Sequence, residues 1–200
     1  IFIYKPKYVC LNNSSKIKYI KKFISNKSTK LILPEKLNTF LSKTQSDLTI
    51  LSISGYHALK YFNNILINTN NLGLVNKECV VSAGHLFKKL IKRYKVNIYP
   101  LDSEHYSLLN FFKNKLNSLN YKYIYLTASG GPFYNYTHSQ IKNVTYEDAI
   151  NHPKWKMGYK NSIDSATMAN KCLEIVEAHY LFDIPYNKLK ILIHPQALIH

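Results

Sequence analysis

Strand-like apolar runs alternate with helix-like segments through the first half of this 200-residue chain, and no other feature constrains its fold as much. Lys7–Leu11 (KYVCL) precedes the helical pattern SKIKYIKKFIS, and Asp47–Ser54 (DLTILSIS) precedes YHALKYFNNILI. Leu72–Asn76 (LGLVN) precedes ECVVSAGHLFKKLIKRY, and Val96–Pro100 (VNIYP) follows. Short β-branched and aromatic runs interleaved with a 3.6-residue period are the mark of βαβ units, with parallel strands and right-handed crossovers. The expected class is α/β. In such sheets ligands gather beyond the carboxyl ends of the strands, which puts Gly55, Asn76 to Glu78 and Asp102 to Glu104 in chemically useful places. The six glycines form neither a G-x-G-x-x-G run nor a Walker A loop, so a dinucleotide site would need a first strand and loop upstream of Ile1.

The second half changes character. YKYIYLTASGGPF carries a β-rich run into Ser129-Gly130-Gly131-Pro132, where successive glycines can turn backbone N–H groups inward as an anion-binding nest. From Tyr134 to Asn161 the periodicity fades across a stretch holding His152, Trp155, Met157 and Gly158. Loops of that length in compact domains are expected to be functional, often as lids.

A hydrophobic fraction of 46% over 200 residues is enough to bury a core for one or two domains. No apolar run has the length of a membrane span, and the N-terminus lacks the pattern of a signal peptide. The chain starts at Ile1 without Met and stops at His200 just after ILIH, so a fragment of a longer protein is expected. Three widely spaced cysteines, Cys10, Cys79 and Cys172, make neither a disulfide framework nor a zinc pattern and suit a reducing compartment. The formal charge of +16 raises the alternative of a basic nucleic-acid-binding module. Against it, Arg93 is the only arginine, the lysines are spread along the whole chain, and arginine is the residue that reads bases and phosphates bidentately. The abundance of Asn, Ile and Tyr suits codon drift in an A/T-rich genome, and no nucleic-acid or membrane partner is expected.

The most informative stretch is NSIDSATMANKCLEIVEAH, Asn161 to His179. On a helical period Met168, Cys172, Leu173, Ile175 and Val176 make an apolar stripe, while Asn170, Lys171, Glu174 and Glu177 gather on the adjoining side. Ordinary i,i+3 and i,i+4 pairing on a solvated face would account for them. The other reading takes Asp164 and Ser165 as the helix start. There, free backbone N–H groups and the dipole would hold phosphate with Ser165, Asn170 and Lys171, and Glu174 would hold a cation. Pro100-Leu101-Asp102-Ser103-Glu104-His105 adds two carboxylates at i,i+2, one face of an extended backbone. Hard divalent ions take such oxygens, with Glu174 as a third ligand, although Asp102 and Glu104 could equally cap the helix YSLLNFFKNKL.

Taken together, VNKE (Val75–Glu78), PLDSEH (Pro100–His105), SGGPF (Ser129–Phe133), HPKWKMG (His152–Gly158), DSATMANKCLE (Asp164–Glu174) and IHPQALIH (Ile193–His200) closely resemble the 1-deoxy-D-xylulose 5-phosphate reductoisomerase family. The resemblance runs nearly from end to end, in that family's order. It implies a parallel-sheet, Rossmann-like dinucleotide-binding domain over residues 1–99 and an α+β catalytic domain over 100–200, both incomplete. It further implies NADPH- and metal-dependent isomerisation and reduction of 1-deoxy-D-xylulose 5-phosphate to 2-C-methyl-D-erythritol 4-phosphate, in the non-mevalonate isoprenoid pathway. Asp102, Glu104 and Glu174 would bind Mn²⁺ or Mg²⁺, with Co²⁺ as an alternative. Ser129, His152, Ser165, Asn170 and Lys171 would hold the substrate phosphate, and Lys77 and Ser103 would contact the substrate near the reacting carbons. Asn76, Glu78 and Gly158 would touch NADPH, and Trp155 and Met157 would belong to a flexible lid. His105 and His200 match family histidines near the site without an assigned role. The full-length protein would be a homodimer in a bacterial cytoplasm or a plastid-type organelle.

Three positions depart from the family pattern: Ala128 and Cys172 stand where glycine is usual, and Tyr56-His57-Ala58 replaces a small, glycine-containing run. With the family's Gly-rich loop and C-terminal domain outside these residues, the segment alone is expected to turn over no substrate.

Overall fold

The computed structural model describes residues 3–24, 28–113, 120–151 and 158–199. The expected alternation is present. β1 (Tyr8–Cys10) passes through α1 (Ile17–Phe23) to β2 (Lys30–Ile32), its parallel neighbour. After α2 (Leu37–Leu41), a second parallel sheet in the order β3-β4-β5 takes β3 (Ser46–Leu51), β4 (Thr69–Leu74) and β5 (Asn97–Pro100). Its crossovers are α3 (Leu59–Ile67) and the longer α4 (Lys77–Tyr94). α5 (Ser103–Lys113) then leads to a third parallel pair, β6 (Ile124–Ala128) with β7 (Leu189–Ile193). Between those two strands lie α6 (His138–Ile141), α7 (Tyr146–Ile150), α8 (Tyr159–Ala166) and α9 (Ala169–Phe182). The fold is α/β.

Register and burial explain the middle sheet. Leu51 lies opposite Leu74, and Leu74 opposite Pro100, so the central strand is covered on both sides. Its Leu72-Gly73-Leu74 run is buried throughout, as a central parallel strand requires. Phe62 of α3 and Phe87 of α4 stack over it with ring centroids 5.3 Å apart. Each such side chain stabilises the fold by roughly 1.5–3 kcal/mol through removal from water. A second core gathers Leu108, Ile124, Leu126, Ala178, Ile184 and Leu189 around β6, β7, α5 and α9. Helix α9 belongs to both, because its Tyr180 and Leu181 reach back to the first core.

Helices α4 and α9 make the most extensive helix–helix contact among the described residues. Gly84 permits it. A Cβ there would lie 2.2 Å from the Tyr180 ring, and the preceding Ala83 departs from helical geometry (φ −124°, ψ 15°), kinking α4 at the crossing.

Two expectations need correction. The stretch from Tyr134 is not an aperiodic loop, because α6 and α7 occupy it, each opened by a capping box: Thr137 with Gln140, and Thr145 with Asp148. Helices of four and five residues are too short to display a period, so only the T-x-x-Q and T-x-x-D spacings announce them. The expected lid residues Trp155 and Met157 lie outside the described residues. The expected helix start at Asp164–Ser165 is likewise displaced: both sit inside α8, and the chain turns at Thr167–Met168 before α9 begins.

Gly84→Ala should lower stability by about 2 kcal/mol despite the better helix propensity of alanine, because the Tyr180 ring has to move. In a Tyr180→Ala background the same substitution should be neutral or stabilising. Urea unfolding of the four proteins measures the cycle, and a destabilisation that persists without the ring would contradict this packing account.

Candidate active site

The polar side of α9 faces inward. Lys171, Glu174 and Glu177 are buried, whereas Cys172, from the apolar stripe, is exposed. A solvated face therefore does not account for these residues. Buried charges persist only when paired, and here the pairs cross between helices. The Lys171 ammonium lies 2.5 Å from Glu174 Oε2 and 3.0 Å from Glu104 Oε1, at the first turn of α5. Lys77, at the first turn of α4, donates to Asn170 Oδ1 at 3.0 Å and to Glu174 Oε1 at 3.2 Å. Asn170 Nδ2 completes the ring by donating to Glu174 Oε1 at 2.5 Å. Burial opposes charge on Glu104, but Lys171 outweighs it and holds that carboxyl below its ordinary range. For Lys171, burial is likewise outweighed by Glu174 and Glu104, so the ammonium is held above its usual value.

Asp102 satisfies the capping reading and also lines the pocket. Its Oδ1 accepts from the His105 backbone N–H at 2.9 Å, capping α5, and from His105 Nδ1 at 2.6 Å. The other ring nitrogen, Nε2, donates to the Glu174 carbonyl at 3.0 Å. Facing acceptors on both sides, the ring is a double donor. Burial alone would disfavour that cation, yet the Asp102 hydrogen bond and the Glu177 and Asp102 charges push it up to about 9. Glu177, buried and 3.5 Å from His105 Nδ1, is pushed up to about 7, chiefly by burial.

Above this cluster opens a pocket of about 380 Å³. Of the residues named from sequence, Lys77, Asp102, Ser103, Glu104, Ser129, Ser165, Asn170, Lys171 and Glu174 line it together. Gly130, in the glycine turn that follows β6, lines it too. Gly131 has φ +74°, and a Cβ on it would meet the Ser165 carbonyl oxygen at 2.6 Å, so the turn rests directly on the end of α8. Met168, at φ 60°, lines the pocket as well and sets the direction in which α9 leaves. His152 lies outside the described residues.

The three residues expected at a cofactor lie outside this pocket. Asn76 is buried as the N-cap of α4: its Oδ1 accepts from Cys79 N at 2.7 Å and its Nδ2 donates to the carbonyls of Ile53 and Gly55. Glu78 pairs with Lys160 at 2.8 Å, and Gly158 caps α8 without touching the pocket. Sequence reading missed the pocket residues Thr127, Met168, His194, Ala197 and Ile199. It also left His105 and Glu177 without roles. An apolar or backbone-lining residue carries no chemical label, whereas the glutamate three residues after Glu174 on the same helical face was a usable signal.

The donor set fits a hard divalent ion. Glu104 and Glu174 already converge on one cation, the Lys171 ammonium, and Asp102 opens onto the same pocket. The expected three oxygens are nevertheless not drawn together: among the described residues, the ligand atoms within 4.8 Å of one another are those of Asp102, His105 and Glu177. Lys171 and Lys77 neutralise Glu104 and Glu174, while His105 holds Asp102.

A parallel α/β chain whose strand ends and inward-turned helix frame a polar, charge-paired pocket has the build of a protein that binds small ligands beyond the carboxyl ends of its strands. Two family models narrow that class: residues 1–84 match 1-deoxy-D-xylulose 5-phosphate reductoisomerase, and residues 98–182 match the C-terminal domain of the same family. The chain belongs to the 1-deoxy-D-xylulose 5-phosphate reductoisomerase family. It is 40% identical over 200 residues to the reductoisomerase of Clostridium kluyveri, covering 98% of this chain and 52% of that protein. It is 37% identical to the apicoplastic reductoisomerase of Plasmodium falciparum, covering 98% and 43%. The chain thus spans about half the length of the relatives it matches. Among solved structures, the Zymomonas mobilis reductoisomerase in complex with NADPH superposes with a TM-score of 0.84 at 34% identity, covering 97% of this chain and 50% of that one. A reductoisomerase in complex with NADPH, fosmidomycin and magnesium gives 0.84 at 30% identity, covering 100% and 52%.

Two consequences are measurable. Lys171→Met leaves the half-buried Glu104 and the buried Glu174 without the ammonium they share, so urea unfolding should show a loss of about 3 kcal/mol, and Glu104→Gln added to it should recover part. His105 has a folded-state value raised from 6.5 to about 9, so its contribution is complete below pH 6.5 and is lost as pH rises through the higher value. Linkage sets the loss at on the order of 3 kcal/mol. The urea midpoint should fall between pH 6.5 and pH 9 in the wild type, and much less in His105→Gln.

Proposed function

We propose that this chain supplies the metal, substrate and part of the NADPH site of an enzyme converting 1-deoxy-D-xylulose 5-phosphate to 2-C-methyl-D-erythritol 4-phosphate. The observation that carries the reading is the convergence of Glu104 and Glu174, from different helices, on one buried cation beneath a pocket walled by a glycine turn. Family membership supports it, and the neighbours solved with NADPH and with fosmidomycin and magnesium bind ligands of the expected classes. On the same reading, residues 1–99 belong to the NADPH-binding domain and 100–200 to the catalytic domain, in keeping with the two hydrophobic cores.

Each residue then has a task. Asp102, Glu104 and Glu174 hold the metal, Mn²⁺ or Mg²⁺. Ser129, Ser165, Asn170 and Lys171 hold the phosphate between the glycine turn and the start of α9, where the helix dipole favours an anion. His152 joins them by family resemblance. Lys77 and Ser103 orient the carbon chain, and anchoring the remote phosphate lets binding energy align the reacting carbons. When bound, the metal polarises the substrate oxygens and NADPH supplies the hydride. Asn76 serves the cofactor by holding the Gly55 loop, since both protons of its amide are already given to carbonyls. Glu78 and Gly158 touch NADPH, by family resemblance.

The full-length protein is proposed to be a homodimer, as the resemblance implies. Relatives named as bacterial and as apicoplastic make a bacterial cytoplasm or a plastid-type organelle the proposed location. Among the described residues no helix is long and apolar enough to cross a membrane.

In the full-length protein, NADPH oxidation with 1-deoxy-D-xylulose 5-phosphate should require Mn²⁺ or Mg²⁺, cease with chelator, and fall at least about a hundredfold in Glu174→Gln. Metal-independent oxidation, or an unaffected Glu174→Gln enzyme, would remove the basis for the assignment.

A further inference from the structure

We propose that Glu177 is a positioning residue for the metal site, acting through His105 on Asp102 and on the backbone of Glu174; the inference rests on the metal role proposed for those two residues. Glu177 touches none of the pocket. It is 1% exposed, and its Oε2 has no hydrogen-bond partner, the only buried side-chain polar atom so placed among the described residues. Leaving a carboxylate oxygen dry and unbonded costs free energy, so it calls for a compensating interaction. The one in reach is the fully buried His105 ring, whose Nδ1 lies 3.5 Å from that oxygen.

His105 is a joint. Its Nδ1 holds Asp102 Oδ1 at 2.6 Å, and its Nε2 holds the Glu174 carbonyl at 3.0 Å. One imidazole thereby fixes the cap of α5 to the middle of α9 and sets the separation of two proposed metal-bearing residues. Phe182 lies parallel to the ring, 6.4 Å away and tilted by 8°, leaving it little freedom to turn. The Glu177 carboxyl is the second acidic group beside Nδ1 of a ring that donates on both sides. Without that carboxylate the ring is held at Nδ1 by Asp102 alone, and the bridge between α5 and α9 loses one of its anchors. Asp102 or Glu174 would be freed to drift. Groups that orient metal ligands in this way typically alter metal affinity by about 10–100-fold when removed.

The test uses full-length protein and Mn²⁺ alone, with free ion counted by EPR. Glu177→Gln, nearly isosteric, should weaken Mn²⁺ binding by about tenfold or more. Glu177→Asp, which keeps the charge but draws it back from the ring, should fall between Gln and wild type and remains informative if Gln does not fold. In turnover, Glu177→Gln should raise the Mn²⁺ concentration for half-maximal rate and leave kcat at saturating Mn²⁺ within about threefold, a split that simple loss of packing would not produce. Glu174→Gln is the control. If it abolishes Mn²⁺ binding while both Glu177 variants bind as wild type does, the positioning role is overturned and the metal site stands. Should the wild type bind no Mn²⁺, or Glu174→Gln bind normally, the metal site itself fails and this inference with it.

Discussion

The buried ion network on α9 is the interaction on which the rest of this structure depends. Taking a lysine and a glutamate out of water costs several kcal/mol per ion, and only close, multiple pairing offsets it. Lys171 reaches Glu104 and Glu174, and Lys77 reaches Glu174 and Asn170, so three helices from different parts of the chain must meet at one point. The two hydrophobic cores press these helices together without specifying an angle to the accuracy a charge pair needs. The charges supply that register. A better-packed apolar core would hold the same helices and bind nothing.

How much of this could be read from residues varies with the kind of signal. The parallel α/β alternation was legible because short apolar runs fall in β3, β4 and β5 and α4 is long enough to show its period. Asn170, Lys171, Glu174 and Glu177 were legible as a cluster, since spacing on a helix is arithmetic. Their burial was not: a helix with a polar side and an apolar side does not say which one meets the core, and Cys172 ended outside. The break at Thr167–Met168 was hidden because Met168 adopts a left-handed conformation that its side chain does not advertise. Asp102 and Glu104 were read on an extended backbone, yet Asp102 caps α5 and Glu104 lies in its first turn, so they reach one pocket by helical rather than strand geometry.

Part of the strong positive charge lies over aromatic rings. Lys7, Lys60, Lys113, Lys122, Lys188 and Lys190 lie over tyrosine rings at 4.5–5.6 Å, the face of the ring attracting each ammonium. A sequence rich in both residue types makes such contacts in many local places. Buried lysines are of another kind, each answered by a carboxylate.

The contact of Gly131 with the Ser165 carbonyl has a consequence for what the pocket can become. Two pocket-lining residues, Gly130 and Ser165, are tied together through it, by main chain packed too closely to admit a side chain at Gly131. Substitution at the lining side chains can change the polarity of this cleft, but the seat of the glycine turn on α8 is a property of the main chain. Lineages that descend from this scaffold can therefore explore new chemistries at Lys77 or Ser103 far more readily than ligands of a different girth at the anion end.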